Sequence, residues 1–180
     1  MDDMTTIIFD GKKVYADSQY SVTADDDTIE RTFTGNKIWT IDGAVCAGAG
    51  TMVVSNLLRD RTHKWMVERL GWTFVYRFGQ DNWEAAHGGT SRALVVKDKQ
   101  PTVYRLFAKV RKLKFFRSSV TILTVKATVV DSTVSNVIVL GSGGDFAKEF
   151  LEKGYDPKTT IQEISKKDPY TNDIIYSVEV

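Results

Sequence analysis

The chain has 180 residues, 42% of them hydrophobic and 26% charged, with a net charge of +1. That is one domain with enough apolar mass for a core, and it excludes a disordered polypeptide. The near-neutral charge argues against nucleic acid or an acidic membrane as partner, and no apolar run approaches the roughly 20 residues that span a bilayer. A single cysteine, Cys46, excludes an internal disulfide. With only His63 and His87 beside it, a metal site is not expected, nor any cofactor. The acidic start, MDDMTTIIFDG, lacks the basic and apolar regions of a secretory signal, so a cytoplasmic domain is expected.

In chain order, Thr6 to Phe9 and Lys12 to Ala16 predict two strands around an Asp10-Gly11 turn. A polar stretch, Ala24 to Asp27, reads as a solvated loop. Asn36 to Ile41 and Ala44 to Ala47 predict a second hairpin around Asp42-Gly43, with Cys46 in its core face. Val54, Leu57, Leu58 and Trp65 then recur at helical spacing, interrupted by Arg61 and stopped at Gly71. Phe74, Tyr76 and Phe78 alternate like a strand. Ala93 to Val96 and Val103 to Phe107 predict a hairpin across Asp98 to Pro101, followed by a long strand over Val120 to Val130. The basic run Lys109 to Arg117, with Phe115 and Phe116, reads as the solvent face of an amphipathic strand rather than a nucleic-acid surface. Val137 to Leu140 is a short apolar strand. Gly141-Ser142-Gly143-Gly144 follows, then Phe146-Ala147 and Phe150-Leu151 at helical spacing. A further helix is predicted over Thr159 to Lys166, and Ile174 to Val180 alternates as an edge strand. Strands, helix, strands, helices and strand make an α+β domain spanning residues 1–180.

Several of these pieces stand in a recognisable order. Thr5-Thr6-Ile7-Ile8 precedes a glycine hairpin and then Asp17-Ser18-Gln19; Lys37-Ile38 opens a strand 32 residues after Thr5. Ala47-Gly48 leads into the first helical pattern, Gly141-Ser142-Gly143-Gly144 precedes a helix, and Asp168 comes shortly before Tyr170-Thr171-Asn172. In this the chain resembles the proteasome β-subunit/HslV family of N-terminal nucleophile hydrolases, which are threonine peptidases. The resemblance covers about residues 4–70 and 133–176. It is poor over 71–132, where the family's long second helix is not apparent and an inserted or rebuilt hairpin is expected.

The resemblance implies a four-layer αββα sandwich of two mostly antiparallel sheets between helix layers. It implies Thr5 as nucleophile with its own α-amine as base, and Lys37 beside it, paired with Asp17. Gly48 would offer its N–H to an oxyanion, while Ser142, Asp168 and Thr171 would hold the amine. Partners implied are unfolded polypeptide substrate, a homo-oligomeric ring and an ATP-dependent unfoldase. The chemistry is sound for these residue types, because an α-amine has an ordinary pKa of about 7.7–8.0 and can take a hydroxyl proton near neutrality. Residues 1–4 precede Thr5, and a blocked Thr5 has no amine. They are read either as a short propeptide or as extra residues, translation then beginning at Met4. The alternative is a catalytically silent, proteasome-like structural or interaction protein.

Overall fold

The computed structural model describes residues 5–23, 28–50, 71–76, 90–115, 118–131, 133–134 and 136–180; for 22–23, 31, 71–76, 90, 108–115 and 118–127 it describes the backbone alone. Two large antiparallel sheets dominate. The first contains β1 (Thr6–Phe9), β2 (Lys13–Asp17), β11 (Thr133–Val134), β12 (Val137–Gly141) and β13 (Ile175–Glu179), in the order β11-β12-β1-β2-β13. The second contains β5 (Ile38–Ile41), β6 (Ala44–Ala49), β7 (Gly71–Tyr76), β8 (Thr90–Lys97), β9 (Gln100–Phe115) and β10 (Ser118–Val129), in the order β5-β6-β8-β9-β10-β7. A separate two-stranded sheet pairs β3 (Gln19–Thr23) with β4 (Ile29–Thr34). Helices α1 (Gly144–Glu152) and α2 (Pro157–Ile164) follow β12.

Turn chemistry sets the registers. Asp42 and Gly43 have φ of 49° and 76°, and Asp98 and Lys99 have 50° and 62°. Two successive positive φ values in a two-residue loop match the strands' right-handed twist, which is why these residues close tight hairpins. Ile41 therefore pairs with Ala44, and Lys97 with Gln100. The first hairpin closes differently: the Asp10 carboxylate accepts the backbone N–H groups of Lys12 and Lys13, each at 2.8 Å.

Alternation along the strands sorts the apolar side chains between two clusters. Ile7, Phe9, Val14, Ala16 and Leu140 of the first sheet join Ile38, Val45, Ala47, Ala49, Leu94, Val96 and Val103 of the second in one buried core. Ile8 and Val139, with the opposite parity, pack on Ala147, Phe150, Ile161 and Ile164 of α1 and α2. The first sheet is thus apolar on both faces, one against the other sheet and one against helices.

The two expected sheets are present, and several elements differ from expectation in extent. The strand expected over Val103 to Phe107 runs from Gln100 to Phe115 and pairs with β10 along twelve positions, from Tyr104↔Val129 to Phe115↔Ser118. Pairing with β8 ends at Phe107, and continuous pairing with β10 carries the strand through the basic segment. The hairpin β3–β4 was not anticipated. Helix α2 begins at Pro157 rather than Thr159, because Asp156 is its N-cap, accepting from the Lys158 and Thr159 backbone N–H groups at 3.0 and 3.1 Å. It ends at Ile164, with Ser165 as its C-cap. Cys46 is buried core, and burial pushes its thiol up to about 12. The helical pattern over Val54 to Trp65 and the position of Phe78 lie outside the described residues. Among the described residues no helix is long and apolar enough to cross a membrane, and no cluster of three metal-ligating side chains occurs.

The Asp156 cap gives a stability test. Hydrogen bonds from the Thr159 hydroxyl and backbone hold the Asp156 carboxyl below its ordinary 3.8. A depressed folded-state pKa contributes stability above the unfolded value and loses it as pH falls through the folded value. Asp156→Ala is expected to lower unfolding free energy by about 1 kcal/mol at pH 7. The difference should shrink as pH drops below 3.8, measured by urea denaturation across that range.

Candidate active site

At the N-terminal end of β1, where the first sheet meets the start of β5, a group of polar side chains is buried among apolar ones. Thr5, Thr6, Asp17, Ser18, Lys37, Asp168 and Thr171 are all shielded from solvent. Each comes from an element end: Thr5 just before β1, Asp17 closing β2, Lys37 just before β5, and Asp168 and Thr171 in the segment after α2. Strand ends suit such groups, because the ladder there leaves side chains and backbone free to meet.

Lys37 and Asp17 form the centre. The Lys37 Nζ lies 3.0 Å from both oxygens of Asp17, with the two side chains 2% and 0% exposed. The same ammonium donates to Thr5 Oγ1. The Thr5 hydroxyl in turn donates to Asp17 Oδ1 at 2.5 Å. Asp17 Oδ1 also accepts the Thr6 backbone N–H at 2.7 Å, and Oδ2 accepts the Gln19 N–H at 2.8 Å. A buried carboxylate with this many donors is well satisfied. Burial pushes the Lys37 ammonium below its ordinary 10.5, against the opposing pull of Asp17 and, more weakly, Asp168.

A second network holds the backbone of Thr5. Its N–H donates to Ser142 Oγ at 3.3 Å, and Ser142 Oγ donates to Asp168 Oδ2 at 2.7 Å. The Thr171 hydroxyl reaches the same Asp168 oxygen at 2.7 Å and lies 2.8 Å from Thr6 Oγ1. Glycine is required where the turn after β12 presses on Thr5. Gly141 has φ of 97°, and a Cβ there would stand 1.9 Å from the Thr5 carbonyl oxygen. A Cβ on Gly143 would meet Thr6 Oγ1 at 2.1 Å.

Of the seven residues singled out in the sequence, Thr5, Asp17, Lys37, Ser142, Asp168 and Thr171 converge in these two networks. Gly48 does not present a free donor. Its N–H donates to the Lys37 carbonyl at 3.4 Å, since the β5–β6 register extends one step past the Ile38↔Ala47 pair. Sequence reasoning missed the role of Thr6, whose hydroxyl and N–H touch both networks, although the Thr-Thr pair was in view. It also missed Tyr20, whose ring centroid lies 5.2 Å from Lys37 Nζ. Nothing in local sequence marks that contact, because β3 returns toward Lys37 only through the unanticipated β3–β4 hairpin. Asn172 completes the frame: its Oδ1 accepts the Ser18 N–H at 3.1 Å, tying the segment after α2 to the end of β2.

Solved structures with this arrangement of sheets exist. Eukaryotic HslV from Trypanosoma brucei matches over 97% of this chain and 97% of its own, with a TM-score of 0.56 and 14% identity. The fold is shared with HslV. Thiobacillus denitrificans BPH, solved in complex with epoxomicin, matches over 98% of this chain and 97% of its own, with a TM-score of 0.55 and 11% identity. No family model and no curated protein matches the sequence. At such identities the likeness to HslV speaks for architecture, and the chemistry has to be argued from the side chains.

Asp17 and Lys37 must stand or fall together. Lys37→Ala leaves an uncompensated carboxylate in the interior and is expected to cost about 3–5 kcal/mol. The double variant Asp17→Asn with Lys37→Ala should recover part of that loss. Urea denaturation of the two singles and the double gives the coupling; simple additivity would show that the pair is not energetically linked.

Proposed function

We propose that the chain is a threonine-type peptidase in which the Thr5 hydroxyl is the nucleophile once residues 1–4 are removed. The observation that carries this reading is the buried ammonium of Lys37 on Thr5 Oγ1, with Asp17 beneath both. A threonine hydroxyl is a weak nucleophile, and a fixed positive charge beside it favours the alkoxide. With Met4 cleaved away, the Thr5 nitrogen becomes a primary amine held by Ser142, with Asp168 and Thr171 behind it.

That amine takes the Oγ proton as Oγ attacks a peptide carbonyl. The tetrahedral intermediate collapses, the amine returns its proton to the departing nitrogen, and an ester on Thr5 remains. Water hydrolyses the ester and restores the hydroxyl. Gly48 is left out of this scheme because the Lys37 carbonyl already takes its N–H. The same reading gives the whole molecule a four-layer sandwich of two sheets between helix layers. It also makes unfolded polypeptide the substrate, a homo-oligomeric ring the enclosure and an ATP-driven unfoldase the feeder, all on the strength of the family resemblance.

One observation favours a second reading, a silent scaffold. In the full sequence the Thr5 nitrogen is an amide, and Thr5 is 1% exposed. A chain that keeps residues 1–4 has no α-amine at Thr5 to act as base.

Intact mass and N-terminal sequencing of the protein from its native host separate the two, alongside hydrolysis of a panel of unfolded peptides. A peptide epoxyketone adds a direct probe, since it closes a ring only on a hydroxyl and a free amine of the same residue. The peptidase reading expects a chain starting at Thr5, a covalent adduct on it, and a loss of at least about a thousandfold in Thr5→Ala. A chain that begins before Thr5, forms no adduct and cuts no peptide would establish the scaffold.

A further inference from the structure

Lys37 is packed from three sides by groups that bear on its charge: Asp17 at the end of β2, the Thr5 hydroxyl before β1, and the ring of Tyr20 on β3. Asp168 acts on it from farther away. The Tyr20 ring centroid is 5.2 Å from Nζ, inside the range where the negative face of an aromatic ring attracts a cation. Such attraction is strongest where water is excluded, and Lys37 is buried.

The ring is not loosely placed. Tyr20 stands opposite Phe33 in the β3–β4 register, and the two rings stack at 5.8 Å with 14° between their planes. The Tyr20 hydroxyl donates to the Asn36 carbonyl at 3.4 Å, one residue before Lys37. Gly35 leaves the space the ring occupies: a Cβ there would lie 2.9 Å from Tyr20 Cε2. Gly35 is itself pinned by its N–H to the Ser18 carbonyl at 2.8 Å. The hairpin therefore grips Tyr20 at its face, edge and tip, beside the approach of Lys37 to the site.

From this geometry we infer that Tyr20 is a positioning residue for Lys37, its ring face holding the ammonium charged and directed at the Thr5 hydroxyl. Asp17 alone has to serve Thr5, Thr6 and Gln19 as well as Lys37, so a second source of negative potential keeps the cation from losing its proton to burial. The catalytic significance of this assignment rests on the peptidase reading; the interaction between ring and cation does not.

The test compares Tyr20→Phe with Tyr20→pentafluorophenylalanine, two rings of near-equal shape and opposite quadrupole, in the full chain. The Lys37 amine is followed by nitrogen NMR during a pH titration, its signal assigned by its loss in Lys37→Arg. Tyr20→Phe should titrate close to the parent, while the fluorinated ring should weaken proton binding at Lys37 by roughly tenfold. Equal titration of the two variants would overturn the inference. In protein showing peptide hydrolysis, the alkaline limb of kcat should move to lower pH with the fluorinated ring and stay in place with phenylalanine. Absence of hydrolysis in the parent would count against the peptidase reading alone, since the NMR comparison still decides the role of Tyr20.

Discussion

The arrangement depends on a lysine and an aspartate taken out of water together. Desolvating either charge alone is expensive, and a single favourable contact does not compensate; excellent geometry and saturation of the remaining donors and acceptors are needed. Lys37 and Asp17 meet that demand by recruiting the Thr5 hydroxyl, two backbone N–H groups and the Tyr20 ring. The recruits come from two places in the chain, Thr5-Thr6 before and in β1 and Gln19-Tyr20 at the start of β3. The pair thereby dictates where β1 begins, where β2 ends, how β3 departs and how β5 is entered.

That requirement also explains why so much of the site is backbone. Thr6 and Gln19 contribute N–H groups from either side of Asp17 in space, and the turn from Gly141 to Gly144 presses on Thr5 from across the neighbouring strand. Two networks meet at Thr5, one at its hydroxyl and one at its nitrogen. The first holds the side-chain oxygen and the second the backbone nitrogen, so both halves of the residue are fixed.

Much of this was legible in the sequence. Short β-branched runs flanked by Asp-Gly placed β1, β2, β5 and β6, because those turns admit few alternatives. Glycine-rich residues 141–144 between an apolar strand and a helical pattern marked the turn on Thr5. The long reach of β9 was hidden, since basic residues at Lys109, Arg111, Lys112 and Lys114 obscure an alternation that extended pairing sustains regardless. The hairpin of β3 and β4 was hidden too, for its residues are mostly polar and the Tyr20–Phe33 stack that joins its strands is a contact between separated positions. Gly48 illustrates a different gap: residue type suited an oxyanion donor, but the direction of an N–H depends on register, and one further rung of the ladder turned it to Lys37. Asp156-Pro157 was a readable helix start that periodicity alone did not weigh.

A last consequence follows from the pleat of β1. Thr6 and Ile8 point one way from the strand and Ile7 and Phe9 the other, with Ile7 and Ile8 committed to different cores. Parity therefore acts as a ruler for the residue in front of them. Deleting or inserting one amino acid between Thr5 and Phe9 would invert the parity of the residues before the change relative to those after it, sending the Thr5 hydroxyl to the wrong face while leaving the composition nearly unchanged. The number of residues in the strand is thus held more tightly than the exact shape of its apolar side chains.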